Sequence, residues 1–238
     1  KREKVRLKSS KDPVPAGFPK KFTVDKKLVE THLYLSQGNY KQAIPAIEES
    51  IELVKKRSLK ARLYFILGQI YQESGQLELA GEAYRNVEKL HPSYDMTFFA
   101  QINQVYVSRG KNAFELKSKL LKLSRDDKNI DYFDIIFYAL ADLELKEKNE
   151  EKGIKYLKKS LSYSSSDKNK SKAYLRLGDL YFKNKNYPPA QAYYDSTLSV
   201  LTENHDRYYK LNRLNKSLKV LVSSLNTISE QDSLRYLA

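Results

Sequence analysis

Cysteine is absent from the 238 residues. Disulfides, thiolate nucleophiles, cysteine-based metal sites and lipid attachment through cysteine are therefore excluded within this chain. Long apolar runs are missing too: none approaches the ~20 residues that a helix needs to cross a bilayer. Histidine occurs three times, at His32, His91 and His205, each without a companion histidine, so no metal site is expected. No secretory signal is visible, and the chain starts at Lys1 rather than methionine, which reads as a processed or trimmed piece of a longer polypeptide. Acidic residues fall short of basic ones, 29 against 43, and the net charge of +14 favours acidic proteins or anionic surfaces as partners. On the backs of helices the same lysines are simply solvated.

What the chain does have is an order of small and large residues that repeats. From Ala61 to Tyr94 it reads ARLYFILGQIYQESGQLELAGEAYRNVEKLHPSY. Tyr64, Leu67, Gly68 and Tyr71 share one helical face, Gly75 marks a turn, Ala80, Tyr84 and Val87 share a second face, and Pro92 ends it. Gly68 and Ala80 fall where two helices cross, because larger side chains there would push the axes beyond roughly 8–10 Å. The pattern resembles the tetratricopeptide repeat (TPR), whose period is about 34 residues. Applied to the whole chain, it predicts an all-α fold: a right-handed TPR-like superhelix of about five helix pairs plus C-terminal helices.

The pattern also divides the chain. Residues 1–23, basic and rich in proline, read as an extended linker. Five repeats are expected next, near 24–60, 61–95, 96–133, 134–170 and 171–204, followed by a C-terminal helical pair over 205–238 that is expected to continue in a parent chain. The second helix of repeat one is expected to run on through Lys55-Lys56-Arg57, where cations suit the helix dipole, with Ser58 capping the next helix. Pro188 and Pro189 fit a helix start if Asn186 is the N-cap. In repeat three Gly110 keeps the turn position, but Glu115 takes the small position, so altered packing is expected there. Ser229 to Asp232 has capping-box spacing and is expected to start a new helix.

Chemistry is harder to find. The glycines sit at repeat positions rather than in a phosphate-cradling loop, and paired carboxylates such as Glu48-Glu49 and Asp126-Asp127 fall on surfaces or turns. No enzyme activity and no cofactor is expected. The tyrosines match packing positions better than base-stacking platforms. A surface remains. In the TPR pattern the first helix of each repeat lines a groove, and residues one, four and eight after its start point inward. The expected groove residues are Arg62, Phe65 and Gln69, then Gln104, then Tyr138 and Asp142, then Lys172, Asp179 and Lys183. The Lys and Asn pattern that clamps a chaperone-tail carboxylate is missing, since Phe65 and Gln69 stand in those places.

Several stretches carry a more particular likeness: the block SRDDKNIDYFDIIFYALADLELKEKNEEKGIKYLKKS, then NYPPAQAYYDSTLSVL, then SLKVLVSSLNTISEQDSLRYLA. With the repeats from GNYKQAIPAIEESIELVKK onward, they resemble the large TPR lipoproteins of Bacteroidota gliding motility and type IX secretion, the SprE or PorW family. That resemblance implies a periplasmic, outer-membrane-associated scaffold linking the outer-membrane translocon to the motor-associated ring. It also implies an N-terminal lipidated cysteine, which would lie outside this chain and be its only contact with the membrane. The partners so implied are other proteins of the secretion and motility complex, with no nucleic acid expected. Two alternatives stand beside it: a generic TPR adaptor for chaperone or peptide tails, and a basic helical repeat that binds nucleic acid, whose affinity would fall steeply with salt.

Overall fold

The computed structural model describes residues 22–108 and 113–237. The basic linker expected over residues 1–23 lies outside them except at its end, as does Gly110. Among the described residues there are eleven α-helices and no strand. In order they are α1 Thr23–Ser36, α2 Tyr40–Leu53, α3 Arg57–Glu73, α4 Leu77–Lys89, α5 Tyr94–Val107, α6 Ala113–Leu123, α7 Phe133–Lys146, α8 Glu150–Tyr163, α9 Asp167–Lys183, α10 Tyr187–Val200 and α11 Tyr208–Leu237, with a 3-10 helix, Asp127–Tyr132, leading into α7. The chain divides into two compact units, one up to Ala100 and one from Gln101 onward, and the boundary falls within α5. No helix among the described residues is long and apolar enough to cross a membrane.

Four helix pairs turn in the same way. After α1, α3, α7 and α9 the chain passes through a left-handed residue, Gly38, Gly75, Lys148 and Lys185, at φ of 65°, 74°, 64° and 59°. The next amide then reaches back to a carbonyl of the preceding helix: Asn39 to Tyr34, Gln76 to Tyr71, Asn149 to Glu144 and Asn186 to Tyr181, at 2.8–2.9 Å. This six-to-one bond closes the helix end and reverses the chain. The same residue is then the N-cap of the next helix, and the Asn39 side chain accepts the Gln42 amide. Pro188 and Pro189 fall in the first turn of α10, as the sequence predicts, where no intrahelical partner is lost.

Within a pair, size complementarity sets the approach. A Cβ on Gly68 would meet the Tyr84 ring at 2.7 Å, and one on Gly178 would meet the Tyr194 ring at 2.6 Å. Both rings are buried. In α7 and α8 the same positions hold Ala141 and Leu157, also buried and in one cluster: as the small member gains a methyl, the large one loses its ring. Gly153 lies against Leu145, at 2.6 Å from a Cβ placed there.

Within the first unit, Tyr71 ties α3 back to α2 by donating its hydroxyl to Glu48 at 2.8 Å, and burial together with that carboxylate pushes its pKa up to about 12. In the second unit α7 is the central element, and polar residues anchor both its ends. Asp134 accepts the Asn169 side chain at 2.9 Å through Oδ2 and the Ser160 hydroxyl at 2.7 Å through its carbonyl, which joins α7, α8 and α9. Glu144, 1% exposed, accepts Lys117 Nζ from α6 at 2.6 Å and the Asn149 amide at 3.0 Å.

Three expectations fail for local reasons. Helix α2 stops at Leu53, because Val54 turns extended and is buried, so the Lys55-Lys56 segment leaves the helix. Ser58 lies inside α3, whose N-cap is Lys56. The C-terminal pair is one helix: α11 runs 30 residues through Ser229. No glycine or proline interrupts it, and the Ser224, Thr227 and Ser233 hydroxyls bond to carbonyls four residues back, so Ser229 stays helical and never adopts the extended backbone of an N-cap.

Candidate functional site

On α7, Tyr138, Asp142 and Lys146 succeed one another at one-turn spacing. On α9, Lys172, Arg176, Asp179 and Lys183 do the same at steps of four, three and four, which puts them on one stripe. The two stripes meet at Asp142. Its Oδ2 holds Lys146 Nζ at 2.9 Å, while Oδ1 stands 3.9 Å from the Arg176 guanidinium. Lys146 Nζ also donates to the carbonyls of Val105 and Tyr106, at 2.9 and 3.1 Å. These belong to the last turn of α5, where carbonyls lack intrahelical partners. The Tyr106 ring sits edge-on to Tyr138, with centroids 6.5 Å apart.

Burial raises the pKa of both phenols. For Tyr138 the Arg176 cation works against that rise, while Asp142 and Asp179 add to it; for Tyr106 burial dominates and Tyr138, Asp142 and Asp134 add. Both stay neutral at any physiological pH and serve as rigid contact surface.

Beyond Arg176 the stripe opens into a cleft of about 400 Å³ lined by Leu145, Lys148, Glu150, Arg176, Asp179, Leu180 and Lys183. Leu145 and Leu180 supply apolar lining, and three cations surround it. Both carboxylates already have partners: Glu150 faces Lys183 at 3.9 Å and accepts the Asn184 amide at 2.6 Å, and Asp179 accepts the Tyr194 hydroxyl at 3.0 Å. No group of three metal-ligating side chains occurs among the described residues. The arrangement can grip an extended or helical segment through apolar contact and cationic donors.

Of the groove residues expected from the sequence, Asp179 and Lys183 line the cleft, and Tyr138 and Asp142 lie on the adjoining α7 stripe. Lys172 lies on the α9 stripe outside the cleft, and burial, with Lys168 nearby, lowers its pKa. Gln104 departs from expectation. It is buried, on a different side of α5 from the Tyr106 ring that meets Tyr138. Arg62, Phe65 and Gln69 lie on α3 in the first unit; Arg62 and Gln69 are exposed, and the half-buried Phe65 ring packs edge-on to Tyr84, 5.6 Å away. Counting repeat positions misses Lys146, Lys148, Glu150 and Arg176. The sequence does carry a signal for Lys146 and Arg176: each stands four residues after an expected groove residue, Asp142 and Lys172, and so shares its face.

Three tetratricopeptide repeat models match the chain, over residues 29–95, 136–167 and 172–199. Curated protein sequences give no match. Among solved structures, PilF of Pseudomonas aeruginosa is similar with a TM-score of 0.55 and 22% identity, over 85% of this chain and 91% of that one. PilW, a type IV pilus biogenesis factor, is similar with a TM-score of 0.61 and 16% identity, over 87% and 91%. A thermophilic TPR protein of Thermus thermophilus gives a TM-score of 0.57 and 14% identity, over 83% and 100%. At these identities the likeness is one of fold.

Proposed function

The chain is a tetratricopeptide repeat protein, and from that premise we propose that it is a non-catalytic scaffold that takes a protein partner on the α7–α9 face. The observation that carries this reading is a cleft of about 400 Å³ lined by Leu145, Leu180, Arg176, Asp179 and Lys183, next to the Asp142–Arg176 contact and the Tyr106–Tyr138 ring pair. Such a surface has an aromatic and aliphatic centre with a polar rim, which is how protein interfaces distribute their binding energy. The partner is a segment with apolar side chains and an acidic flank, matched to the three cations of the lining.

The setting we propose is the periplasm, at the outer membrane, as a component of type IX secretion and gliding motility between the translocon and the motor-associated ring. It is supported by the resemblance of the α7–α8, α10 and α11 stretches to the SprE or PorW family; the fold shared with PilW is compatible with it. The test is capture of partners from native membranes by crosslinking through this chain, comparing wild type with Arg176→Glu/Lys183→Glu. Both side chains are exposed, so the variant should keep its circular-dichroism melt and lose at least tenfold of the captured translocon or ring protein. Undiminished capture would move the interface off this face, and capture of unrelated proteins alone would remove the secretion role.

A further inference from the structure

The apolar stripe of α11 outruns the helix that covers it. Leu211, Leu214, Leu218, Leu221, Leu225 and Ile228 succeed one another at alternating steps of three and four residues, the 3.5-residue period of a helix–helix seam. The first three pack with Tyr194, Tyr187 and Leu198 of α10. Helix α10 has 14 residues and α11 has 30. At ~1.5 Å per residue these span about 21 and about 45 Å, so the cover ends while the seam continues. Leu221 and Leu225 are each 39% exposed and Ile228 is 57% exposed. The surrounding surface is also unusual: none of the ten residues from 220 to 229 carries a charge, in a chain that is 30% charged. Val222, Ser224, Ser229 and Gln231, which flank the seam, are uncharged as well.

We propose that this stretch is a dimer interface, on which a second copy of the chain lays its own α11 antiparallel over Leu221, Leu225 and Ile228. The flanks point to a copy of the same chain. A two-fold pair sets identical surfaces against each other, and a chain of net charge +14 repels itself wherever lysines face lysines. The uncharged stretch of α11 is where that repulsion is least. The direction is set by α10, which already occupies the seam over Leu211 to Leu218. In a parallel pair both α10 helices would occupy the same place between the two seams. In an antiparallel pair centred on Leu225 each α10 meets only the last turns of the partner's helix, from Asp232 onward, and not the other α10. Three layers from each copy are few for a standard interface, and the dimer is accordingly concentration-dependent.

Sedimentation of the 238-residue chain over a concentration series tests this. The mass should rise from one copy toward two, and Leu225→Glu/Ile228→Glu should hold it at one copy throughout with an unchanged melt. Should that variant melt early, engineered cysteines give an independent reading, since the chain has none of its own. Leu225→Cys, beside the two-fold axis, should form a disulfide-linked dimer under mild oxidation, and Val220→Cys, turned about 140° from it round the helix, should not. A single-copy mass at every concentration would overturn the proposal and leave the seam to a helix from outside these 238 residues. A dimer indifferent to the glutamates, or equal crosslinking from Val220, would overturn it by placing the contact elsewhere.

Discussion

The contact between Gly178 and Tyr194 leaves no space for a methyl group. The ring is buried between α9 and α10, and its hydroxyl is tied to Asp179, so it cannot swing aside. Gly178→Ala should therefore destabilise the second unit by about 2 kcal/mol, the range for an overpacked core. Adding Tyr194→Leu should return much of that loss, because Ala141 and Leu157 already form such a pair; a double-mutant cycle by urea denaturation reads the coupling directly. The turn residues offer the reverse case. Lys185 holds φ of 59°, a conformation costly for a residue with a Cβ, where Gly38 and Gly75 hold it freely. Lys185→Gly should raise stability by about 0.5–1 kcal/mol and Gly75→Ala should lower it by about 1 kcal/mol, each measured by thermal or urea unfolding.

At the scale of the helix, α7 is nearly apolar all round, and its polar residues matter through where they are tied. Burial works to raise the Glu144 pKa, but hydrogen bonds from Lys117 and Asn149 and the Lys117 charge outweigh it and hold the pKa below the ordinary value. A carboxylate stabilised in this way contributes fully above the ordinary glutamate pKa of about 4.3 and loses its contribution as pH falls through the folded value. Acid unfolding should therefore be less steep below about pH 4.3 in Glu144→Gln than in wild type. Glu144→Ala at neutral pH should cost about 2 kcal/mol, since Lys117 keeps only the longer contact to Glu147 at 3.6 Å and the Asn149 side chain loses its Glu144 acceptor. Urea denaturation at stepped pH measures both.

For the molecule as a whole the charge is the main variable. A chain of +14 will touch polyanions, and a labelled oligonucleotide should bind weakly and lose affinity steeply between two ionic strengths. Tight binding at the lower ionic strength that falls steeply with added salt would favour the nucleic-acid reading over a protein scaffold. The division at Ala100 and Gln101 falls in the repeat whose small position is held by Glu115, where the sequence predicts altered packing. The next elements of the chain are irregular too: α6 has 11 residues, and a 3-10 helix stands before α7.

Repetition makes the helix pairs legible in the sequence. A crossing that admits only a small residue against a large one leaves the same mark in each repeat, so Gly68 with Tyr84 and Gly178 with Tyr194 can be read from the order of residues alone. Positions at one-turn spacing on α7 and α9 are legible for the same reason. Three features were decided only by tertiary packing. Gln104 is buried at a position that the repeat count assigns to the groove, Val54 ends α2 extended and buried, and Arg176 meets Asp142 across two helices whose contact no local pattern encodes. A periodic sequence determines which face of a helix is apolar; which neighbour covers that face, and how far along it, depends on helix lengths and on contacts distant in the chain.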